Sequence, residues 1–138
     1  IPTIITQIIN GASNIKLGNL SPTRDLTFVN DTCRGFNEIF HCDELFGEIT
    51  NIGMNEEISM FDLAGVISQL MEADIEIELN RQRIRPQESE VDRLRCNNAK
   101  LMEYTNWVPE YSLKEGLEFT IKWVMNNVGN YKSQIYNV

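Results

Sequence analysis

Histidine and cysteine are scarce in these 138 residues: His41 stands alone, and Cys33, Cys42 and Cys96 form no C-x-x-C pair. A zinc cluster would have to be completed by carboxylates, so no metal site is expected and the thiols read as the reduced cysteines of a cytosolic protein. No apolar run approaches the roughly 20 residues that cross a bilayer, and no charged-then-apolar leader precedes the first residues; no membrane association is expected. Positive charge is short as well. Twelve Lys and Arg against 20 Asp and Glu leave a net charge of −8, the wrong sign for a surface that binds nucleic acid. Also missing are a G-x-x-G-x-x-G or G-x-G-x-x-G loop, a tyrosine followed four residues later by lysine, and a G-x-S-x-G elbow. The chain therefore has neither a dinucleotide cradle nor a recognisable nucleophile. It opens on Ile1-Pro2-Thr3 with no initiator methionine, which reads as a fragment or a processed product.

What is present suits one small globular domain: 42% apolar and 23% charged residues. Ile4, Ile5, Ile8 and Ile9 have helical spacing, and Gly11 is placed to end that helix. Ile15 and Leu17 alternate briefly before a turn at residues 18–22. Leu26 to Val29 reads as a strand, and Asn30 or Asp31 as the cap of a helix that runs to about Phe40. Residues 48–52 read as another short strand. Ser59 with Asp62 forms a capping box ahead of Leu63, Val66, Ile67 and Leu70 on one helical face. Ile75, Ile77 and Leu79 alternate with glutamates as in a strand with one wet face. Asn97 or Asn98 caps a helix that ends before Trp107. Ser112 and Glu115 form a second capping box, ahead of Leu117, Ile121 and Val124. Both apolar stripes should be buried. About five helices and four short strands, with no internal repeat, describe a small α/β or α+β domain.

Two segments concentrate groups that suit an anion. In Leu17-Gly18-Asn19-Leu20-Ser21-Pro22-Thr23-Arg24-Asp25, a glycine turn precedes an arginine at the start of a strand. The guanidinium fork there could meet a phosphate, or Arg24 could be spent on Asp25 in a solvated loop. In the second segment five arginines (81, 83, 85, 93 and 95) fall within fifteen residues of an acidic chain. They suit a dianionic ligand; interleaved with Glu88, Glu90 and Asp92, they also suit a charge-laced loop.

These segments, together with PTIITQIING at the start and NWVPEYSLKEGLEFTIKW over residues 106–123, make the chain similar to the C-terminal region of extended short-chain dehydrogenase/reductases. The likeness extends to about residue 125. It points to NAD-dependent nucleotide-sugar epimerases and dehydratases, above all to 4,6-dehydratases acting on UDP-N-acetylhexosamines in nonulosonate (legionaminic-type) pathways. The LGNL phrase is shared with GDP-mannose dehydratases, which leaves the base open. The resemblance implies a small mixed α/β substrate-binding domain over residues 1–128, packed on an N-terminal Rossmann domain of the same polypeptide, with residues 129–138 a flexible tail. It implies that Arg24 and Arg85 contact the diphosphate of a UDP-sugar or another nucleotide-diphosphate sugar. Glu90 would accept from the ribose hydroxyls, and Leu17 and Gly18 would form the wall against which the base packs. Lys100 and Trp107 would be structural.

NAD is then the cofactor of the full-length, cytoplasmic lyase, and none is expected for this chain alone. The catalytic tyrosine, lysine and acid would lie in the N-terminal half, so no catalytic residue is assigned and the chain by itself would be incompetent. An epimerase or decarboxylase of the same superfamily, and a stand-alone anion-binding or scaffolding module, are the alternatives.

Overall fold

The computed structural model describes residues 1–84 and 87–131. Among the described residues the fold is mixed α/β, with five α-helices and five short strands. It divides into two compact units, each assembled from segments distant in sequence.

The first unit gathers Ile1–Pro22, Ser59–Asp92 and the chain from Leu117. Helix α1 (Pro2–Ile9) carries proline at its first position, where an amide would have had no helical acceptor. It gives way at Gly11, whose φ of +76° is open to glycine at little cost. Ile4 and Ile5 are buried, Ile8 and Ile9 half-buried. Strand β1 (Asn14–Leu17) runs parallel to β4 (Glu76–Leu79), with Ile15 opposite Ile77. Gln7 of α1 covers the free edge of β1, accepting from the Lys16 amide at 2.9 Å and donating to the Lys16 carbonyl at 3.3 Å. Parallel strands need a long crossover, and the chain between these two includes helix α3 (Met60–Leu70). Ser59 caps α3 by accepting the Asp62 amide at 3.0 Å, as its spacing predicts. The first two amides of α3, of Met60 and Phe61, donate to the carbonyls of Pro22 and Leu20. Leu63 and Ile67 are buried and Val66 and Leu70 half-buried; Leu117, Ile121 and Val124 of helix α5 (Leu113–Asn126) are buried. Both apolar stripes thus face inward.

The second unit comprises Thr23–Ile58 and Arg93–Gly116. Its sheet has the order β3-β2-β5, where β2 is Thr23–Arg24, β3 is Ile58–Ser59 and β5 is Arg93–Leu94. The pair β2–β5 is parallel, with Thr23 opposite Arg93 and Arg24 opposite Leu94. The strand expected at residues 26–29 is thus displaced toward the N-terminus. Pairing ends when the Asp25 amide donates to the Leu94 carbonyl, and Val29 already begins helix α2 (Val29–Phe40). In a first helical turn a β-branched residue has no preceding turn to crowd, so the propensity argument fails there. Phe28, not Asn30 or Asp31, occupies the N-cap position, and no side chain caps the helix. Residues 48–52 also depart from expectation. They form no strand, and Ile49 is 88% exposed; a strand needs a ladder partner, and none is supplied among the described residues.

The apolar centre of this unit is Leu45, Leu101 and Trp107, with Ile39, Cys42 and Ile52 packed against them. Leu101 lies on helix α4 (Ala99–Tyr104). Asn97 accepts the Ala99 amide at 3.1 Å, whereas Asn98 is buried and donates to the Gly53 carbonyl at 2.7 Å. Trp107 and the loop after it are fixed by Asp31. The Asp31 carbonyl accepts the indole N–H at 3.0 Å, and its carboxylate accepts the amides of Glu110 and Tyr111, each at 3.1 Å, and Arg34 Nη1 at 2.7 Å. After this anchor the chain reaches α5, where Ser112 and Glu115 form the expected capping box: the Glu115 carboxylate accepts the Ser112 amide at 2.8 Å, and the Ser112 hydroxyl accepts the Glu115 amide at 3.3 Å. A short 3-10 turn follows α5 at Val128–Asn130. Most of the expected tail, from residue 132, lies outside the described residues, as does Arg85.

Asp31 is fully buried and Arg34 one-third exposed, which separates their energetic weights. Asp31→Ala strands two amides and should cost about 3–5 kcal/mol. Arg34→Ala removes one of three donors to that carboxylate, from the side water can reach, and should cost less, about 1–3 kcal/mol. Urea denaturation of the two variants checks the ranking, and equal losses would contradict it.

Candidate functional site

Arg24 ends the two-residue strand β2 and lines a small cleft with Leu26, Met54, Glu56, Glu57, Ile58 and Leu113. Its Nη1 donates to the carbonyl of Thr23 at 2.7 Å. Asp25 serves the backbone instead: its carboxylate accepts the Met54 amide at 2.9 Å and the Cys96 amide at 3.1 Å. That stitches β2 to two segments remote in sequence. Gly53 makes this possible, because a Cβ there would come within 2.3 Å of Cys96 Cβ. The neighbouring Cys96 thiol is pushed up from its ordinary range by burial and, secondarily, by the charge of Asp25.

Glu57 forms the second clamp on β2. It accepts the Thr23 hydroxyl at 3.0 Å and the Arg93 guanidinium at 2.7–2.8 Å, through Nε and Nη2. The hydrogen bonds from Arg93 hold its carboxyl below the ordinary value of 4.5, against an opposing contribution from burial and with further help from Thr23. Beside this clamp, Arg93 and Arg95 line an open groove with Asn55, Cys96 and Asn97, and Arg95 Nε donates to the Asn55 carbonyl at 2.8 Å. The clustered arginines of the sequence are thus used partly on structure and partly on a polar surface.

The other residues singled out by sequence belong to the first unit. Leu17 ends β1, and its carbonyl accepts the Asn80 amide at 2.8 Å. Gly18 lies against the backbone of Arg83, where a Cβ would sit 2.3 Å from the Arg83 carbonyl oxygen. The LGN turn and the start of the arginine-rich segment are therefore neighbours, and only glycine permits their approach. Glu90 is half-buried and follows a 3-10 turn at Gln87–Ser89. Arg85 lies outside the described residues, and Arg24 belongs to the other unit. Sequence reasoning missed Glu57 and the roles that Asp25 and Asp31 play. A carboxylate that binds donors from remote segments leaves no local pattern.

Lys100 and Trp107 have the structural roles expected. Lys100 Nζ pairs with Glu48 at 2.9 Å, and Trp107 is 1% exposed. His41 ends α2 with Nδ1 2.8 Å from the Asn37 carbonyl. No three His, Cys, Asp or Glu side chains gather in a metal-binding group among the described residues. Among the described residues no helix is long and apolar enough to cross a membrane. Among the described residues β1 leads through Gly18 into an irregular segment rather than the helix that a dinucleotide cradle would need there, and the left-handed Gly11 and Gly47 lie in separate turns.

Glu57 carries a sign-definite consequence for acid stability. A carboxyl whose pKa is lowered on folding lends stability that is fully present above the unfolded value of about 4.5 and is lost as pH falls through the folded value. Urea midpoints measured at decreasing pH should fall less steeply for Glu57→Gln than for the unaltered protein. Parallel profiles would show that the carboxylate makes no such contribution.

Comparison with known proteins places this geometry. The sequence model of the GDP-mannose 4,6-dehydratase family matches residues 1–120. A protein of Methanocaldococcus jannaschii assigned as a UDP-glucose 4-epimerase is 30% identical over 129 residues, covering 92% of this chain and 39% of that protein. GDP-mannose 3,5-epimerase 1 of Oryza sativa is 29% identical over 112 residues, 81% of this chain and 28% of that one. Among solved structures, dTDP-glucose 4,6-dehydratase of Bacillus anthracis in complex with NAD superposes with a TM-score of 0.78 at 26% identity, over 95% of this chain and 40% of that one. The chain thus spans two fifths or less of the length of each. Its mixed α/β fold corresponds to the C-terminal part of such enzymes, and the chain belongs to the GDP-mannose 4,6-dehydratase family, among the NAD-dependent nucleotide-sugar epimerases and dehydratases.

Proposed function

We propose that this chain supplies the substrate-binding side of an NAD-dependent sugar-nucleotide 4,6-dehydratase, with a UDP-N-acetylhexosamine of the nonulosonate (legionaminic-type) pathways as substrate. The observation that carries the reading is the family match over residues 1–120, which includes Arg24 in its cleft. In this reading Arg24 and Arg85 neutralise the diphosphate, their planar donors suiting phosphate oxygens. Glu90 accepts hydrogen bonds from the ribose hydroxyls, and Leu17 and Gly18 flank the base. NAD, bound elsewhere in the whole protein, supplies the transient oxidation of the sugar and the return of the hydride; this chain's residues hold the nucleotide and orient the sugar toward it. The whole protein is then a cytoplasmic lyase in which this portion packs on an N-terminal Rossmann domain. Exposed Phe36 (64%), Phe40 (72%) and Ile49 (88%) support that packing, since apolar surface of this kind is normally covered.

Epimerases among the relatives favour one second reading, a nucleotide-sugar epimerase of the same family. The product decides: a 4-keto-6-deoxy sugar nucleotide supports the dehydratase, and an epimer without loss of water supports the alternative.

Two outcomes are expected. The isolated chain should neither bind NAD nor form a keto sugar, and detectable turnover by it would overturn the division of labour. In the whole protein, Arg24→Ala and Arg85→Ala should each weaken UDP by about ten- to a hundred-fold, the loss of one charge-assisted hydrogen bond. Uridine, which has no phosphate, should be little affected. Calorimetric titration with both ligands checks this, and an equal loss for uridine would contradict the assignment.

A further inference from the structure

Strand β2 is only two residues long, yet it is gripped more firmly than its length requires. Thr23 faces Arg93 across the parallel pair with β5. The carboxylate of Glu57 receives both of them, the Thr23 hydroxyl at 3.0 Å and the Arg93 guanidinium at 2.7–2.8 Å. Glu57 is itself largely covered, its side chain 23% exposed, and it lines the same cleft as Arg24. The next peptide bears Arg24, whose guanidinium donates to the carbonyl of Thr23 at 2.7 Å. Beyond it, Asp25 fixes the other end of the strand through the amides of Met54 and Cys96.

Short strands fray and long arginines lose entropy when they are held. A guanidinium that must meet a phosphate therefore gains when its backbone is fixed in advance. From these contacts we propose that Glu57 is a positioning residue for Arg24: by joining Thr23 to Arg93 it fixes the peptide from which the phosphate-binding guanidinium projects. The proposal rests on the reading of Arg24 as a phosphate ligand. It adds a residue that never touches the nucleotide and whose own charge, being negative, would repel it.

That charge makes the test diagnostic. If Glu57 acted only through its field, neutralising it would tighten an anion. A geometric role gives the opposite sign. Calorimetric titration of the whole protein with UDP and with uridine compares the unaltered protein with Glu57→Gln, Thr23→Val, Arg24→Ala and the Arg24→Ala double variants. Thr23→Val removes only the hydroxyl, leaves the Glu57–Arg93 pair in place and changes no charge, so it serves if Glu57→Gln fails to fold. Each single clamp variant should weaken UDP by about three- to ten-fold, the net worth of one hydrogen bond, and leave uridine unchanged. In the Arg24→Ala background the same changes should have no further effect on UDP. Tighter UDP binding by Glu57→Gln, equal weakening of uridine, or a full-size effect without Arg24 would each overturn the proposal. If Arg24→Ala alone leaves UDP affinity unchanged, the phosphate role falls and the positioning role falls with it. If Arg24→Ala weakens UDP while both clamp variants leave it unaltered, only the positioning role is lost.

Discussion

A carboxylate with no exposure to water, held by two backbone amides and one guanidinium, organises the second unit. Asp31 lies in the first turn of α2, but it reaches across to residues 110 and 111, and its own carbonyl takes the indole N–H of Trp107. Burying a carboxylate is costly unless its lone pairs are filled. Here three donors fill them, two of which are amides of an irregular loop that no helix or sheet would satisfy. The same contact thus solves two problems, and it brings Trp107 over Leu45 and Leu101.

Asp25 repeats this solution at β2, and Glu57 does so with side chains rather than amides. The three carboxylates act at a distance of 29 to 80 residues along the chain. The second unit has little regular sheet to hold these segments in register, so charged hydrogen bonds take over the work that a longer ladder would do. Arg24 sits between two of the clamps, in a strand of only two residues.

The first unit relies on packing instead. Ile4, Ile5, Ile15, Leu63, Ile67, Leu117, Ile121 and Val124 are all buried, and each lies at a position marked by helical or strand periodicity. Full burial of such side chains stabilises by about 1.5–3 kcal/mol apiece before conformational entropy is counted. Polar groups there complete the ends of elements: Ser59 at the start of α3, Gln7 along the open edge of β1.

This contrast separates what the sequence determined from what folding decided. Helices α1, α3 and α5 with their inward faces, and the caps of α3 and α5, follow from local periodicity and from side chains three residues apart, because those interactions close within one helical turn. The glycine at position 18 was legible as a turn, though not as the point where the backbone of Arg83 comes to rest. The strand expected at residues 26–29 and the one expected at 48–52 were not formed. Propensity can nominate a strand, but only a partner can complete its hydrogen bonds. The remote contacts of Asp25, Asp31 and Glu57 gave no signal, since an acidic residue in a polar stretch looks the same whether it meets water or a distant donor. Which residues could carry positive charge was legible along the chain; tertiary structure decided which segments the carboxylates would join, because those contacts exist only after segments far apart along the chain have met.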